Sequence, residues 1–229
     1  MNAPFIEINL EKLKTNAAKL KQQCDKNGIE IAFVTKGFCA DIEVIKAVKK
    51  TGIKLFADSR MKNIKEVKMK LGQEANEMKY LLIRIPMMSE VESVVKYADI
   101  SVQSQIEVIC AISEEALKQN KVHKIILMID VGDLREGVMP EEAIKAVDQI
   151  KDLTGVELIG IGTNVGCYGS IKPSVENTRI LVDLKNKINN ELGLSLNVIS
   201  GGSTCTLALM EQGKLHKDIN QLRIGEAIL

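Results

Sequence analysis

The chain has 229 residues, of which 45% are apolar and 27% charged, a composition typical of a globular protein with a sizeable core. The formal net charge is +1, so there is no basic surplus for binding a phosphate backbone, and nucleic acid is not an expected partner. No apolar run reaches the roughly 18 residues of a membrane span, and the start lacks a basic region followed by an apolar stretch, so we expect a cytoplasmic protein without a membrane partner. The five cysteines are odd in number and widely spaced, which argues against a disulfide framework and a zinc site, and no metal is expected.

Strand-like apolar segments alternate with helical segments, and this pattern predicts parallel βαβ units. A short strand is expected around residues 5–8, and a helix over residues 10–26 that Asn27-Gly28 ends. The strand from Ile29 toward Lys36 is then the first of eight. The others are predicted at 53–57, 80–85, 99–102, 123–130, 156–163, 196–200 and 221–224, and helices near 41–51, 60–71, 89–97, 104–119, 140–152, 174–192 and 204–212.

Eight such strands favour a closed (β/α)8 barrel over an open doubly wound sheet, because no G-x-G-x-x-G follows the first strand. No helix follows the eighth strand, and the helix at 10–26 is available to close the barrel instead. No linker or low-complexity tract interrupts the sequence, so residues 1–229 are assigned to one domain.

Lys36 stands where the first strand ends. A lysine there usually reaches for water, and for this segment alone a solvated strand end is the simpler interpretation. The alternative is a Schiff-base lysine, since barrel active sites lie at the carboxyl ends of the strands. That alternative requires a phosphate site and a partner for a pyridine ring elsewhere in the chain.

Residues 200–204, Ser-Gly-Gly-Ser-Thr, follow the seventh strand and have the properties of a phosphate site. Glycines let the backbone approach a ligand, hydroxyls donate hydrogen bonds, and the next helix begins with free amides. The alternative is an ordinary turn with a Ser or Thr helix cap. The position after strand seven, with Gly225 just after strand eight, favours phosphate.

The polar residues at the other strand ends also have simple structural explanations. Residues 130–137, Asp-Val-Gly-Asp-Leu-Arg-Glu-Gly, form an acidic and basic loop that an ordinary solvated loop would also explain. Asp58 or Ser59 could simply cap the helix that follows. His123 begins a strand at the wrong barrel end for chemistry, and Tyr168 could either reach the site or pack.

Together these segments resemble the fold-type III pyridoxal-phosphate enzymes, the alanine racemase group, and most closely its ornithine racemase-like branch. The resemblance covers essentially the whole chain and rests on the order of its motifs. They are Val34-Thr35-Lys36-Gly37-Phe38-Cys39, Asp58-Ser59-Arg60, Leu82-Ile83-Arg84-Ile85-Pro86, residues 130–137, Gly162-Thr163-Asn164, Ser200-Gly201-Gly202-Ser203 and Arg223-Ile224-Gly225-Glu226.

The resemblance implies a TIM barrel of the alanine racemase N-terminal type that binds pyridoxal 5'-phosphate (PLP). Lys36 would bind the cofactor and serve as one catalytic base. Arg223 would face the pyridine nitrogen, where a guanidinium cannot accept a proton and leaves the ring a weaker electron sink. The cofactor's phosphate and its surroundings would involve Ser200, Gly202, Ser203, Thr204, Gly225 and Glu226.

Three further positions are implied to contact ring or substrate. Arg135 would lie near the cofactor's phenolic oxygen or the substrate carboxylate, and Asn164 falls where alanine racemases place a ring-stacking histidine. Ala40 stands where the family has a tyrosine four residues after the lysine. The family's downstream β domain, whose tyrosine supplies the opposite-face base across a dimer, is absent from these 229 residues.

The sequence therefore predicts a racemase that removes and returns the Cα proton of an amino acid, ornithine or alanine, in a protein that is a homodimer at full length. Either the chain is a fragment, or Tyr168 or Cys167 supplies the second base, or the protein is no racemase. The distal ammonium of a diamino acid would need a carboxylate, from Asp130, Asp133, Glu136 or Glu226.

The alternative is a non-catalytic, single-domain PLP carrier. Its length matches this chain, but a Gly-Glu-Asn after strand two and a His-x-x-Gly-x-Leu-Gln after strand three are missing. A purely structural protein would require every polar strand end to be a cap or a solvated loop.

Overall fold

A computed structural model describes residues 6–166 and 171–229, which form a closed barrel of eight parallel strands. The strands neighbour one another in chain order, and the last pairs with the first to complete the ring. The (β/α)8 fold predicted from the sequence is thereby confirmed. The strands are β1 (Glu30–Val34), β2 (Leu55–Asp58), β3 (Lys79–Leu82), β4 (Ile100–Gln103), β5 (His123–Met128), β6 (Val156–Gly162), β7 (Val198–Ser203) and β8 (Gln221–Ile224).

Helices surround the barrel, and the first of them contacts both the second and the last. The first helix contacts the second, its Cys24 lies 4.0 Å from Met210 of the last one, and its Asn16 amide donates to the Ile228 carbonyl. It therefore closes the helical layer. The helices in the described residues are α1 (Leu10–Lys26), α2 (Ile42–Lys49), α3 (Met61–Leu71), α4 (Val91–Tyr97), α5 (Ile106–Lys118), α6 (Ala143–Ile150), α7 (Val175–Leu192) and α8 (Leu207–Glu211).

The core has two layers because successive strand residues point to opposite faces. One layer lies between the strands and the helices and includes Phe33, Phe56 and Leu127. The other fills the barrel interior, and small side chains on β1 and β2 make room for larger ones from other strands. Its buried members are Ala32, Val34, Leu55, Ala57, Leu81, Ile100, Val102, Ile126 and Met128.

The structure differs from the sequence prediction mainly at element ends. Residues 6–8, the described part of the strand expected at 5–8, form no strand. The seventh strand runs on to Ser203 instead of ending at 200, and α8 begins only at Leu207, after a short 3-10 helix. A register shift against β8 between Ser200 and Ser203 lets the ladder continue through the two glycines. None of the helices in the described ranges has the length and apolarity that a membrane crossing requires.

His123 is buried between the strands and helices and belongs to a small polar network. Its Nε2 lies 2.9 Å from the Ser101 hydroxyl, which also accepts a hydrogen bond from the Gln103 amide. Burial, helped by the positive charge of Lys121, lowers the pKa of His123 to about 4 from its ordinary value near 6.5. The side chain is thus a neutral structural histidine at the amino end of β5, as the sequence suggests.

We expect the free energy of unfolding to fall as the pH falls from about 6.5 to about 4, because the unfolded chain takes up a proton on His123 before the folded chain does. The stabilisation from His123 is complete above the unfolded pKa of about 6.5. At a pH of about 4, about 3 kcal/mol of the free energy of unfolding has been lost. Urea unfolding at several pH values measures it. The variant His123→Gln should lose this pH dependence, whereas His216→Gln, in a partly exposed loop, should keep it. An unchanged pH profile in His123→Gln would contradict the assignment.

Candidate active site

A cavity of about 400 Å³ lies at the carboxyl ends of the strands. Its apolar part comes from interior strand positions such as Val34, Val102 and Met128, and polar side chains surround the opening. Because the barrel is closed, residues far apart in sequence meet here. Of the site residues selected from the sequence, the cavity lining contains Lys36, Arg135, Asn164, Ser203, Thr204, Arg223, Gly225 and Glu226.

Lys36 lies in a 3-10 turn, Lys36–Phe38, two residues after β1 ends. Its side chain is exposed and lines the cavity. The two residues after the turn, Cys39 and Ala40, have φ angles of 53° and 54°, a left-handed conformation that side chains with a β-carbon disfavour. The Lys36 turn is therefore held in a strained backbone at the edge of the cavity.

Arg223 is a buried cation inside the barrel. Its neighbours Leu222 and Ile224 pack in the outer layer, so the alternation along β8 directs Arg223 inward. The guanidinium donates hydrogen bonds to the Ser200 hydroxyl and to the Thr163 carbonyl. These bonds orient a group that lines the cavity and is only 6% exposed.

The end of β7 is shaped by a bulge at two glycines. Gly202 has a φ of 118°, and a β-carbon there would lie 2.5 Å from the Thr206 hydroxyl. Gly225, after β8, is similarly close-packed, since its β-carbon would lie 2.9 Å from the Val34 carbonyl oxygen. The bulge delivers Ser203 and Thr204 to the cavity with their hydroxyls and backbone amides.

The loop after β5 is held by Asp130 and presents its neighbours to the cavity. The buried Asp130 carboxylate accepts hydrogen bonds from the amides of Gly132 and Leu134, at 2.8 and 3.1 Å. Asp130 itself does not line the cavity, so its geometry indicates a loop-holding role in place of the substrate contact expected from the sequence. Arg135 and Glu136 do line it, with 3.4 Å between a guanidinium nitrogen and a carboxylate oxygen.

Some other residues selected from the sequence do not line the cavity. Ser200 is buried and orients Arg223, and Gly202 shapes the backbone, but neither lines the cavity. Tyr168 and Cys167 lie outside the described residues. Cys205, whose sulfur is 3.6 Å from the Gly166 carbonyl, lines the cavity although its sequence context reads as ordinary helix. Further lining residues are Ser59 and Arg84, which the sequence marked as polar strand ends, and Glu136, one of the four carboxylates considered for a distal ammonium.

A second cavity, of about 590 Å³, lies at the amino ends of the strands. It is rich in lysines, and several of them bind protein groups. Lys68 pairs with Asp99, and Lys121 donates to two backbone carbonyls. In such barrels this end serves stability, so the smaller cavity at the carboxyl ends is the candidate active site.

This chain is similar to known proteins over nearly its whole length. The family described as "Alanine racemase, N-terminal domain" matches residues 8–229. An ornithine racemase of Acetoanaerobium sticklandii is 39% identical over 227 residues, and a lysine racemase of Thermotoga maritima is 41% identical over 226. Each alignment covers 99% of this chain but only 63% and 62% of the relative, so the chain spans less than two thirds of their length.

Among solved structures, PipY of Synechococcus elongatus PCC7942, determined with PLP bound, superposes with a TM-score of 0.78. The alignment covers 94% of this chain and 99% of PipY, at 15% sequence identity. At this level of sequence identity, the structural similarity shows a shared fold and nothing more.

Replacing Gly202 with alanine tests the bulge. The backbone strain and the contact with Thr206 should together lower the free energy of unfolding by about 2–4 kcal/mol. Gly213→Ala is the matched control, because Gly213 also has a positive φ, 64°, but open space around it, and should cost only about 1 kcal/mol. Urea unfolding of both variants measures the difference. Equal losses would mean that the bulge accommodates a β-carbon.

Proposed function

Since the chain belongs to the alanine racemase N-terminal domain family, we propose that it is the PLP-binding barrel of an amino-acid racemase. The observation that carries this proposal is the meeting of Lys36, Ser203, Thr204 and Arg223 in one cavity at the carboxyl ends of the strands. The names of two relatives, an ornithine and a lysine racemase, support the reaction class.

The residues present fit the cofactor. Gly202 allows the β7 bulge, because its φ of 118° and its contact with Thr206 would not accommodate a β-carbon, and Ser203 and Thr204, which follow it, line the cavity and carry hydroxyl donors. With the amides near Gly225, they would hold the phosphate. Arg223, oriented from inside the barrel, would lie toward the ring with a guanidinium that donates but cannot accept a proton.

PLP, when bound, supplies an electron sink that acidifies the Cα–H bond of an attached amino acid. The Lys36 amine would hold the cofactor and then take up the Cα proton on one face, while a second residue would protonate the opposite face. Arg135 would bind the substrate carboxylate, because a guanidinium matches its geometry. No tyrosine occurs among the lining residues of the described part, so no residue there is assigned as the opposite-face base. The role of Tyr168 as that base stays a prediction.

Substituting Lys36 is the first test. Lys36→Ala should lose the visible absorbance of protein incubated with PLP, and any racemase activity should fall at least about 100-fold, because both depend on the amine. Circular dichroism with each amino-acid enantiomer follows turnover. The control is Lys62→Ala, which removes an exposed lysine of α3.

Retained cofactor absorbance in Lys36→Ala would refute the assignment of Lys36. Wild-type absorbance without turnover of basic or small amino acids would favour the non-catalytic carrier over the racemase, for this chain as it stands.

We further propose a diamino acid as substrate, with Glu136 binding its distal ammonium. Of the four carboxylates considered from the sequence, Glu136 and Glu226 line the cavity, and Asp130 is occupied by loop amides. The Glu136 side chain is only 16% exposed and its neighbour Arg135 is expected at the substrate carboxylate. A carboxylate shielded from water in this way would bind an ammonium more strongly than the exposed Glu226 would.

Glu136→Gln should raise the KM for ornithine or lysine about 10- to 100-fold, the loss expected for one charge-assisted hydrogen bond. The KM for alanine, which has no distal ammonium, should change much less. Glu141→Gln, an exposed position in the following segment, provides the control. Equal effects on alanine and the diamino acids would place Glu136 at the cofactor or the carboxylate and exclude it as the ammonium site.

A further inference from the structure

A buried polar network lies directly behind the Lys36 turn. The carboxylate of Asp58, at the end of β2 and 1% exposed, accepts a hydrogen bond of 2.6 Å from the Thr35 hydroxyl. The same carboxylate accepts from the Arg60 amide at 2.8 Å and from the Asn63 side chain at 3.1 Å. Asp58 is therefore not a cap of α3, whose N-cap residue Arg60 has no side-chain cap hydrogen bond, but it holds the segment that leads into α3 and ties the residue before Lys36 to the second strand.

Thr35 is engaged through each of its polar atoms. Its amide donates to the Ala57 carbonyl at 2.8 Å, which prolongs the β1–β2 ladder by one residue. Its carbonyl accepts from the amides of Phe38 and Ala40, at 3.3 and 3.1 Å, and so closes the turn that contains Lys36. With the hydroxyl bound to Asp58, Thr35 fixes both the entrance and the exit of that turn.

This anchoring offsets strain in the turn itself. Cys39 and Ala40 both adopt left-handed backbone conformations, which cost of order 1 kcal/mol or more each and persist only where the surroundings impose them. The Thr35 carbonyl is one such constraint, because it binds the amide of Ala40 directly. Loosening Thr35 would therefore allow the turn to relax and the Lys36 side chain to change direction.

We propose that Thr35 and Asp58 are positioning residues that aim the Lys36 amine at the aldehyde of the cofactor. The inference rests on the proposed function, in which the amine nitrogen forms a C=N bond to the aldehyde carbon and the aldehyde oxygen leaves as water. A displacement of about 1 Å at a reacting atom costs up to about 100-fold in rate. The hydroxyl–carboxylate bond controls how quickly and how completely Lys36 is modified, and leaves binding of the phosphate and ring unchanged.

The test compares Thr35→Val, which keeps the shape and removes the hydroxyl, with Thr35→Ser, which keeps the hydroxyl. Each purified protein is mixed with PLP, and attachment to Lys36 is followed by visible absorbance and by mass after borohydride reduction. Binding of 4'-deoxypyridoxine phosphate, which has the phosphate and ring but no aldehyde, is measured in parallel by fluorescence. We expect attachment in Thr35→Val to be about 10- to 100-fold slower, near wild-type attachment in Thr35→Ser, and wild-type affinity for the analogue in both.

Two results would overturn the proposal. One is attachment in Thr35→Val at the wild-type rate. The other is an equal loss of affinity for the deoxy analogue, which would make the network a general support of the site. Should Thr35→Val fail to fold, Thr35→Ala removes the hydroxyl without placing a methyl group against the carboxylate, and its results are interpreted in the same way. Wild-type protein that never attaches PLP would instead overturn the proposed function, so the two failures are distinguishable.

Discussion

The pairing of β1 with β8 is the constraint on which the site depends. Residues 30–33 align with residues 221–224 in a parallel ladder, although about 190 positions separate them in the chain. Parallel pairing places both carboxyl ends at the same edge, so the turn after β1 and the loop after β8 become neighbours. Lys36, Arg223 and Gly225 share a cavity because of this closure. In an open sheet with the strands in chain order, β1 and β8 would lie at opposite edges, and Lys36 would meet neither Arg223 nor Gly225.

The alternation of inward and outward residues along β8 places one charged side chain, Arg223, inside the barrel. Arg223 occupies an inward position between Ala32 of β1 and Ser203 of β7, and burial of a guanidinium without hydrogen-bond partners would be strongly unfavourable. Ser200 and the Thr163 carbonyl satisfy part of its hydrogen bonding from the two preceding strands. A hydrophobic residue at this position would avoid the cost of burying a charge, so the buried Arg223 supports the proposal that this guanidinium acts as a fixed donor at the cavity.

Much of the fold could be predicted from the sequence because it depends on local periodicity. Strand and helix positions followed from apolar patterning, and the carboxyl-end rule then selected most of the residues that line the cavity. Hydrogen-bond partners were harder to predict from the sequence. From its neighbours Asp58 was a candidate helix cap, which it is not, and its bond to Thr35 depends on the register of β1 against β2, which no local pattern records. Asp130 was selected from the sequence as a substrate carboxylate, and only the folded loop shows that one of its oxygens accepts hydrogen bonds from the amides of Gly132 and Leu134.

Backbone strain is distributed unevenly between the two ends of the barrel. Among the described residues, Cys39, Ala40 and Leu134 have positive φ angles without being glycine and lie in loops after β1 and β5. Asn120, the fourth such residue, precedes β5 at the other end and belongs to a residue type that tolerates this conformation. Strain of this kind costs of order 1–3 kcal/mol per residue and persists where the surrounding structure over-determines it. At the carboxyl ends of the strands, two buried carboxylates impose these backbone conformations. They are Asp58 behind the Lys36 turn and Asp130 inside the Arg135 loop. The chain thus uses two buried acids to hold the two loops that carry its principal cations, Lys36 and Arg135, which makes these acids part of the site although neither lines the cavity.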